Sequence, residues 1–213
     1  MMNDTLSVDA HSPLEKLVNQ LACEGWAVCD GFLNAPEVQA LVAEVHDLRN
    51  SFHQAHVGRG QDRELHAEIR QDHVHWLDSG QLTVAQQTYW QQMERLRLAL
   101  NQHLFLGLFD YEAHLSVYPK GAFYKRHLDQ FRGVGLRMVS CILYLSDNWT
   151  QADGGQLRLY LNGEAIDHYC DILPIAGRLV MFLSADFYHE VLPAHRERLS
   201  LTGWFRRRAK VLV

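Results

Sequence analysis

The chain has 213 residues and a mass of 24.6 kDa, which is enough for one sizeable core and too little for two ordinary enzyme domains. Hydrophobic residues make up 47% and charged residues 21% of it, a composition that excludes a disordered or fibrous protein. The net charge is −5, so a broad nucleic-acid-binding face is not expected. No apolar run has the ~20 residues of a membrane span, and the N-terminus lacks the features of a signal peptide, so we expect a cytoplasmic protein without membrane contact.

The first third of the chain is predicted to be helical with one short strand. Residues 12–15 (SPLE) form a capping box with proline at the first helical position, and Gly25 predicts the end of that helix. Trp26–Cys29 is a short apolar strand. Asn34-x-x-Glu37 predicts the start of a second helix, and apolar residues at helical spacing predict a third from about Thr83 to His103.

The remainder of the chain reads as short strands. The stretch around 50–75 is polar and rich in Gly, Arg and His, and predicts an irregular loop with two short strands. Helices followed by regularly spaced strands indicate an antiparallel sandwich or open barrel with helices packed on one side. We predict one domain over residues 1–213, with 1–105 as mainly helical support and 111–206 as the β core. Its five predicted strands are His114–Tyr118, Arg137–Leu145, Gln156–Leu161, Arg178–Leu183 and Arg198–Phe205.

Three residues form a candidate metal site. His127 and Asp129 stand two apart, so in an extended segment their side chains project from the same face. His189 follows an apolar strand and a short loop. Two histidines and one carboxylate match the facial triad of non-haem iron enzymes, which leaves three coordination positions open. A structural zinc would need a closed tetrahedral shell, and no cysteine is placed to complete one.

The last predicted strand has one polar face. Period-two alternation puts Leu199, Leu201 and Phe205 on a core face. An arginine on the opposite face can bind a carboxylate through two parallel hydrogen bonds, which lysine cannot do. A solvated strand is the alternative reading, but the nearby triad favours a pocket. The polar face carries Arg198, Ser200, Thr202 and Trp204.

These residues together resemble the 2-oxoglutarate- and Fe(II)-dependent dioxygenases, and more narrowly the prolyl hydroxylases, including the oxygen-sensing animal enzymes and their bacterial relatives. The resemblance covers most of the chain after residue 50. It implies an α+β, mainly β fold, which is a double-stranded β-helix (jelly roll) with N-terminal supporting helices. The matching stretches are IRQDHVHWLD at 69–78, YPKGAFYKRHLDQF at 118–131, CILYLSDNW at 141–149, GGQLRLY at 154–160 and GRLVMFLSADFYHEVLPAHRERLSLTGWF at 177–205.

The resemblance implies a role for each matching residue of the metal and cosubstrate sites. His127, Asp129 and His189 would bind Fe(II). Arg198 would pair with the distal carboxylate of 2-oxoglutarate, assisted by the hydroxyl of Tyr144. By the same resemblance O₂ is the oxidant, and ascorbate is expected as a reductant.

Four further residues are placed near the site by the resemblance. Tyr118 would lie near the iron-chelating end of the cosubstrate, although it stands one residue closer to the iron-binding histidine than in the animal enzymes. Thr202 and Trp204 would line the pocket beside it, and Arg137 would contact the substrate. The other histidines, His53 and His114 among them, have no spacing that singles them out.

The activity implied is hydroxylation of a prolyl residue in a protein, with release of succinate and CO₂, and elongation factor Tu is the favoured partner. The loop at 57–75, with Arg59, Arg63 and Arg70 as donors, is expected to close over that substrate. A dioxygenase of a free amino acid, an alkylated base or another small molecule is an alternative, and so is a catalytically inactive jelly-roll binding module. The negative charge weighs against nucleic acid, and no ammonium and carboxylate partners for a free amino acid are identified.

Overall fold

The computed structural model describes residues 12–55, 66–130, 136–163 and 165–209. Within these ranges no helix is long and apolar enough to cross a membrane. The helices are α1 (Pro13–Glu24), α2 (Ala35–Asp47) and α3 (Val84–Leu104), and the strands are β1 (Trp26–Cys29), β2 (His53–Gln54), β3 (His73–Trp76), β4 (Asp110–Tyr118), β5 (Tyr124–His127), β6 (Arg137–Tyr144), β7 (Leu157–Tyr160), β8 (Tyr169–Ile172), β9 (Leu179–Leu183), β10 (His189–Val191) and β11 (Arg198–Arg206).

The strands form two antiparallel sheets. The major sheet has seven strands in the order β1-β9-β6-β11-β4-β3-β2, and the minor sheet has four in the order β5-β10-β7-β8. One apolar cluster joins the sheets face to face, with Tyr144 and Phe182 of the major sheet against Leu159 of the minor one. A second cluster packs the helices on the outer face of the major sheet, for example Met93 beside Leu201. This arrangement confirms the predicted jelly roll with supporting helices.

The helix ends follow the local sequence signals. Ser12 Oγ accepts the amide of Glu15 at 3.2 Å, while the Ser12 amide donates to the Glu15 carboxylate at 2.9 Å. Asn34 and Thr83 begin α2 and α3 with the same reciprocal pair of bonds. Gly25 ends α1 at φ 77°, and a Cβ there would lie 2.8 Å from the Phe187 ring, so both the backbone and the packing require glycine.

Three strands were not predicted, namely β5, β8 and β10. Each has only three or four residues, and histidine or charged residues interrupt the apolar pattern in all three. The partners of β5 and β10 lie far along the chain, and β8 pairs with the preceding strand β7, so none of the three has an apolar pattern of its own that signals a strand. The two short strands predicted within 50–75 are present as β2 and β3. Residues 57–65 of the expected substrate loop lie outside the described ranges, and its end, from His73, belongs to β3. Closure over a substrate stays a prediction.

Candidate active site

The two sheets bring the three predicted metal ligands together. His127 ends β5 and His189 begins β10, and the two residues are directly paired across these strands. Asp129 follows His127 by two residues; its Oδ1 lies 3.6 Å from His127 Nε2 and its Oδ2 lies 3.6 Å from His189 Nε2. One potential ligand atom from each residue lies within 4.8 Å of the other two. This triad is the one cluster of possible metal ligands among the described residues.

The donor set is prepared for a divalent cation. A carbonyl oxygen lies 2.7 Å from Nδ1 of His127 and another lies 3.1 Å from Nδ1 of His189. Because a carbonyl can only accept, each Nδ1 carries the proton and each Nε2 keeps a lone pair for a metal. Burial lowers the pKa of His189 to about 4, so its imidazole is neutral at pH 7. Burial opposes ionisation of Asp129, but His189, His127 and the Ser140 hydroxyl hold its pKa well below the ordinary value. Two imidazole nitrogens that face each other and one carboxylate fit Fe(II).

A cavity of about 520 Å³ adjoins the triad and ends at Arg198. Arg198 is 1% exposed, and within the described ranges it has no acidic partner. Its Nη1 donates to Ser200 Oγ at 3.3 Å, and its guanidinium lies 4.9 Å from the ring of Tyr118 and 5.0 Å from that of Tyr144. A buried guanidinium without a counter-charge is costly, so this end of the cavity requires an anion.

Two buried donors on the cavity wall, Arg198 Nε and Trp204 Nε1, have no hydrogen-bond partner among the described residues. The Tyr144 hydroxyl lies behind Arg198 and has no partner there other than that arginine. Buried donors are normally satisfied, so orphan groups in one cavity point to a ligand that completes them. Arg198 and Tyr144 together suit a carboxylate, as the sequence resemblance implies for 2-oxoglutarate.

A glycine supports the stem of Arg198. Gly155 has φ 65°, and a Cβ on it would lie 3.1 Å from Arg198 Cδ, 3.2 Å from Ala194 Cβ and 3.2 Å from Trp149 Cζ2. Any larger residue would therefore displace the arginine or the two neighbours that hold it. The contact of Gly155 with Arg198 gives the Gly154-Gly155 turn a role at the anion-binding end of the cavity.

The remaining predicted site residues also reach the cavity. Tyr118, Thr202 and Trp204 line it, whereas Tyr144 lies behind Arg198 and is not part of the lining. Arg137 also lines the cavity, where its guanidinium lies 3.5 Å from the Trp204 ring centroid. Glu112 accepts a 2.9 Å hydrogen bond from Arg137 Nε. The geometry thus places Arg137 where a substrate could meet it, and its contact with substrate stays a prediction.

Arg70, which was expected to be a donor to the substrate, lines the cavity but is already paired within the protein, so its contact with substrate stays a prediction. Its Nε and Nη2 donate to the two carboxylate oxygens of Asp72 at 2.8 and 2.6 Å, and Asp72 is fully buried. The Arg70 guanidinium lies 4.4 Å from the Tyr124 ring, which stacks on His127 at 3.7 Å. Arg70 therefore supports the metal ligand through Tyr124. The spacing of Arg70 and Asp72, two apart in an extended segment, is the signal that could have revealed the pair.

His53 and His114, which had been given no role, both line the cavity. His114 is 4% exposed and packs edge-on to Trp76 at 4.8 Å. No sequence spacing links His114 to the triad, because the two meet only through strand pairing.

Comparison with known proteins agrees with this geometry. Residues 113–206 match the model of the 2OG-Fe(II) oxygenase superfamily. A solved structure of a Pseudomonas putida prolyl-4-hydroxylase is 48% identical, with a TM-score of 0.82, over 92% of this chain and 100% of that one. A Trichoplax adhaerens prolyl hydroxylase, solved with a hypoxia inducible factor peptide, is 27% identical with a TM-score of 0.77, over 91% and 88%.

Curated relatives match a smaller region. Egl nine homolog 1 of Rattus norvegicus is 40% identical over 108 residues, which cover 47% of this chain and 31% of the rat protein. The chain thus corresponds to less than a third of that relative's length. The full-length match to the bacterial structure, together with the superfamily model, shows that the chain belongs to the prolyl 4-hydroxylases of the 2OG-Fe(II) oxygenase superfamily.

Proposed function

We propose that this protein hydroxylates a prolyl residue of a protein substrate, using Fe(II), 2-oxoglutarate and O₂. The observation that carries the proposal is the fully buried Arg198, which has no described acidic partner and shares one cavity with the His127, Asp129 and His189 triad. A metal-binding module would need the triad alone. The presence of the metal site and the anion site in one cavity supports a reaction that uses a bound metal and a bound dicarboxylate together.

Each side chain has a defined task in this activity. His127, Asp129 and His189 would hold Fe(II), and Arg198 with Tyr144 would hold the distal carboxylate of 2-oxoglutarate. Bound together, the metal and cosubstrate supply oxidation of a substrate C–H bond, with succinate and CO₂ as coproducts and ascorbate as a reductant for the metal. The aromatic walls of the cavity exclude water around the reacting groups.

A protein is the substrate class we favour. The Trichoplax relative was solved with a peptide. In this protein the cavity extends from the triad to Trp76, whose side chain is 43% exposed, so the cavity is open to solvent at that end. We favour bacterial elongation factor Tu as the protein, which places the enzyme in the cytoplasm. The similarity to a bacterial prolyl-4-hydroxylase supports a bacterial partner.

Mass spectrometry tests the proposal. The purified protein, Fe(II), 2-oxoglutarate and ascorbate are incubated with elongation factor Tu, and a one-oxygen mass gain on a single proline is expected. Omitting 2-oxoglutarate should abolish the gain. Succinate release with free proline or an alkylated base, but no gain on any protein, would favour a small-molecule dioxygenase. No succinate under any condition would favour a binding module.

A further inference from the structure

One row of side chains crosses the floor of the cavity. Thr202 of β11 is paired with Ile142 of β6 on one side and with His114 of β4 on the other, and His114 is in turn paired with Trp76 of β3. All four line the cavity. Directly paired residues of an antiparallel sheet point to the same face, so this row is a continuous floor four strands wide.

The two ends of this floor differ. Asp129 of the triad is bonded to Ser140, which stands two residues from Ile142 on β6. At the other end the floor reaches the half-exposed Trp76 and then His53 of β2. The anion-binding end at Arg198 is closed by burial. A segment that enters the cavity at the β2–β3 edge of the major sheet and reaches the metal therefore passes over His114.

His114 presents an unused donor to this floor. The Ser116 hydroxyl lies 2.9 Å from His114 Nδ1, whereas the Leu115 carbonyl oxygen lies 3.4 Å from the same nitrogen, beyond the usual hydrogen-bond distance. The buried Ser116 has no other described acceptor for its proton. Ser116 therefore donates to Nδ1, and the imidazole proton is on Nε2. Nε2 has no partner in the parts of the chain that the structure describes. Nε2 is not one of the completely buried polar atoms that lack a partner. It is therefore accessible, and the accessible side of His114 is the cavity that it lines.

We propose that His114 is a substrate-binding residue whose Nε2–H donates a hydrogen bond to a backbone carbonyl oxygen of the protein segment that crosses the floor. The proposal rests on the proposed function and adds a residue to its substrate site. The Trp76 ring lies 4.8 Å and the Trp204 ring 5.5 Å from the imidazole, so the donor stands between apolar walls. Such a site suits a neutral carbonyl better than a carboxylate, which Arg137 nearby would bind more strongly.

The main test compares two substitutions with wild type. His114→Phe keeps an aromatic ring between the two tryptophans but removes the donor, and His114→Gln restores an N–H near the position of Nε2. We expect KM for elongation factor Tu to rise about fivefold in His114→Phe, the size of one neutral hydrogen bond, and to return to within about twofold of wild type in His114→Gln. The Kd of 2-oxoglutarate, measured by calorimetry, should stay unchanged in both.

Three results would overturn the inference. They are an unchanged KM in His114→Phe, a KM in His114→Gln as high as in His114→Phe, or a loss of 2-oxoglutarate affinity equal to the rise in KM. The exposed His103 of α3 provides the matched control, since His103→Phe should leave both KM and the Kd of 2-oxoglutarate unchanged. Circular dichroism verifies that each variant is folded.

A measurement on the wild-type protein keeps the inference testable if the variants do not fold. In protein loaded with Zn(II) and 2-oxoglutarate, ¹⁵N NMR should find the His114 proton on Nε2, and addition of elongation factor Tu should shift that N–H resonance. A proton on Nδ1 would overturn the inference. If the wild-type protein leaves elongation factor Tu unmodified, the proposed partner fails, and the tautomer still decides the role of His114.

Discussion

Ser140 Oγ donates a 2.6 Å hydrogen bond to Asp129 Oδ2. Ser140 belongs to β6 of the major sheet, whereas His127 and His189 belong to paired strands of the minor sheet. A second serine, Ser184, lies 2.9 Å from Ser140 Oγ. The metal site therefore spans both sheets, and the Ser140–Asp129 bond fixes the carboxylate relative to the two imidazoles.

Removing that bond should weaken metal binding without changing the ligands. Partners that orient metal ligands typically contribute 10–100-fold in affinity, so we expect Ser140→Ala to raise the Kd of Fe(II) by at least ~10-fold. Anaerobic calorimetry measures it. Ser51→Ala is the control, since Ser51 bonds Leu48 and His75 away from the triad. Equal Fe(II) affinities in wild type and Ser140→Ala would contradict the positioning role.

Asp129→Ala should abolish stoichiometric Fe(II) binding and turnover, because two imidazoles alone lack the anionic ligand. The fold should persist, since the carboxylate lies off the main apolar clusters. Metal titration and circular dichroism measure both effects, with the exposed Asp186→Ala as control. Unchanged iron affinity in Asp129→Ala would mean that another carboxylate serves as the ligand.

Arg198→Ala should weaken 2-oxoglutarate binding by at least ~30-fold. Truncating one partner of a buried charge pair costs on the order of 2–5 kcal/mol, and ~1.4 kcal/mol corresponds to tenfold in Kd. Calorimetry of the metal-loaded protein gives the Kd. Arg158→Ala removes an arginine whose partner, Asp171, lies outside the cavity, and should leave the Kd unchanged. A change below about threefold in Arg198→Ala would place the cosubstrate elsewhere.

The metal-free protein should lose stability as the pH falls from 6.5 to 4. Burial, assisted by Arg70, lowers the pKa of His114 to about 4 from 6.5. The unfolded chain therefore takes up the proton first, and the free energy of unfolding decreases across this window. His114 alone accounts for about 3 kcal/mol at most. Urea unfolding at pH 7 and pH 4 should show a smaller decrease in His114→Gln than in wild type. Identical decreases would mean that His114 is not buried in its neutral form.

Gly203→Ala should destabilise the protein by about 1–3 kcal/mol, as expected for an overpacked core. A Cβ at Gly203 would lie 2.3 Å from Tyr111 Oη and 2.6 Å from the Glu112 carbonyl oxygen. Tyr111 cannot move freely, because its hydroxyl is 2.5 Å from that of buried Tyr89. Urea unfolding measures the change in the free energy of unfolding. Ala113→Gly is the control, because Ala113 is paired with Gly203 across the two strands and this substitution removes a methyl group instead of adding one. A stability equal to wild type would show that the strand can shift.

Local signals accounted for much of the fold. The capping boxes at Ser12 and Asn34 predicted the starts of α1 and α2, and apolar spacing predicted α3. The alternation along Arg198–Phe205 separated the cavity face from the core face, as Leu201 in the helix-facing cluster confirms. Each of these features depends on residues within a few positions of each other, which is what a sequence displays directly.

The missed features depend on distant pairing. His114 enters the cavity because β4 lies beside β11, more than 80 residues further along the chain. Arg70 lies over the Tyr124 ring because the two residues form a β-bridge, although they are more than 50 residues apart in the chain. Neither relation has a local pattern, so the metal ligands could be identified from resemblance whereas the cavity floor could not.

The absence of a side chain at Gly155 has a thermodynamic consequence for ligand binding. Because Arg198 Cδ is closely packed over that glycine and the guanidinium lies near two tyrosine rings, the rotamers of a long side chain are restricted before any anion arrives. Ordering a free arginine costs roughly 2 kcal/mol of conformational entropy. In this protein that entropy is lost when the chain folds and not when the ligand binds. A dicarboxylate therefore binds to an arginine whose side chain is already ordered.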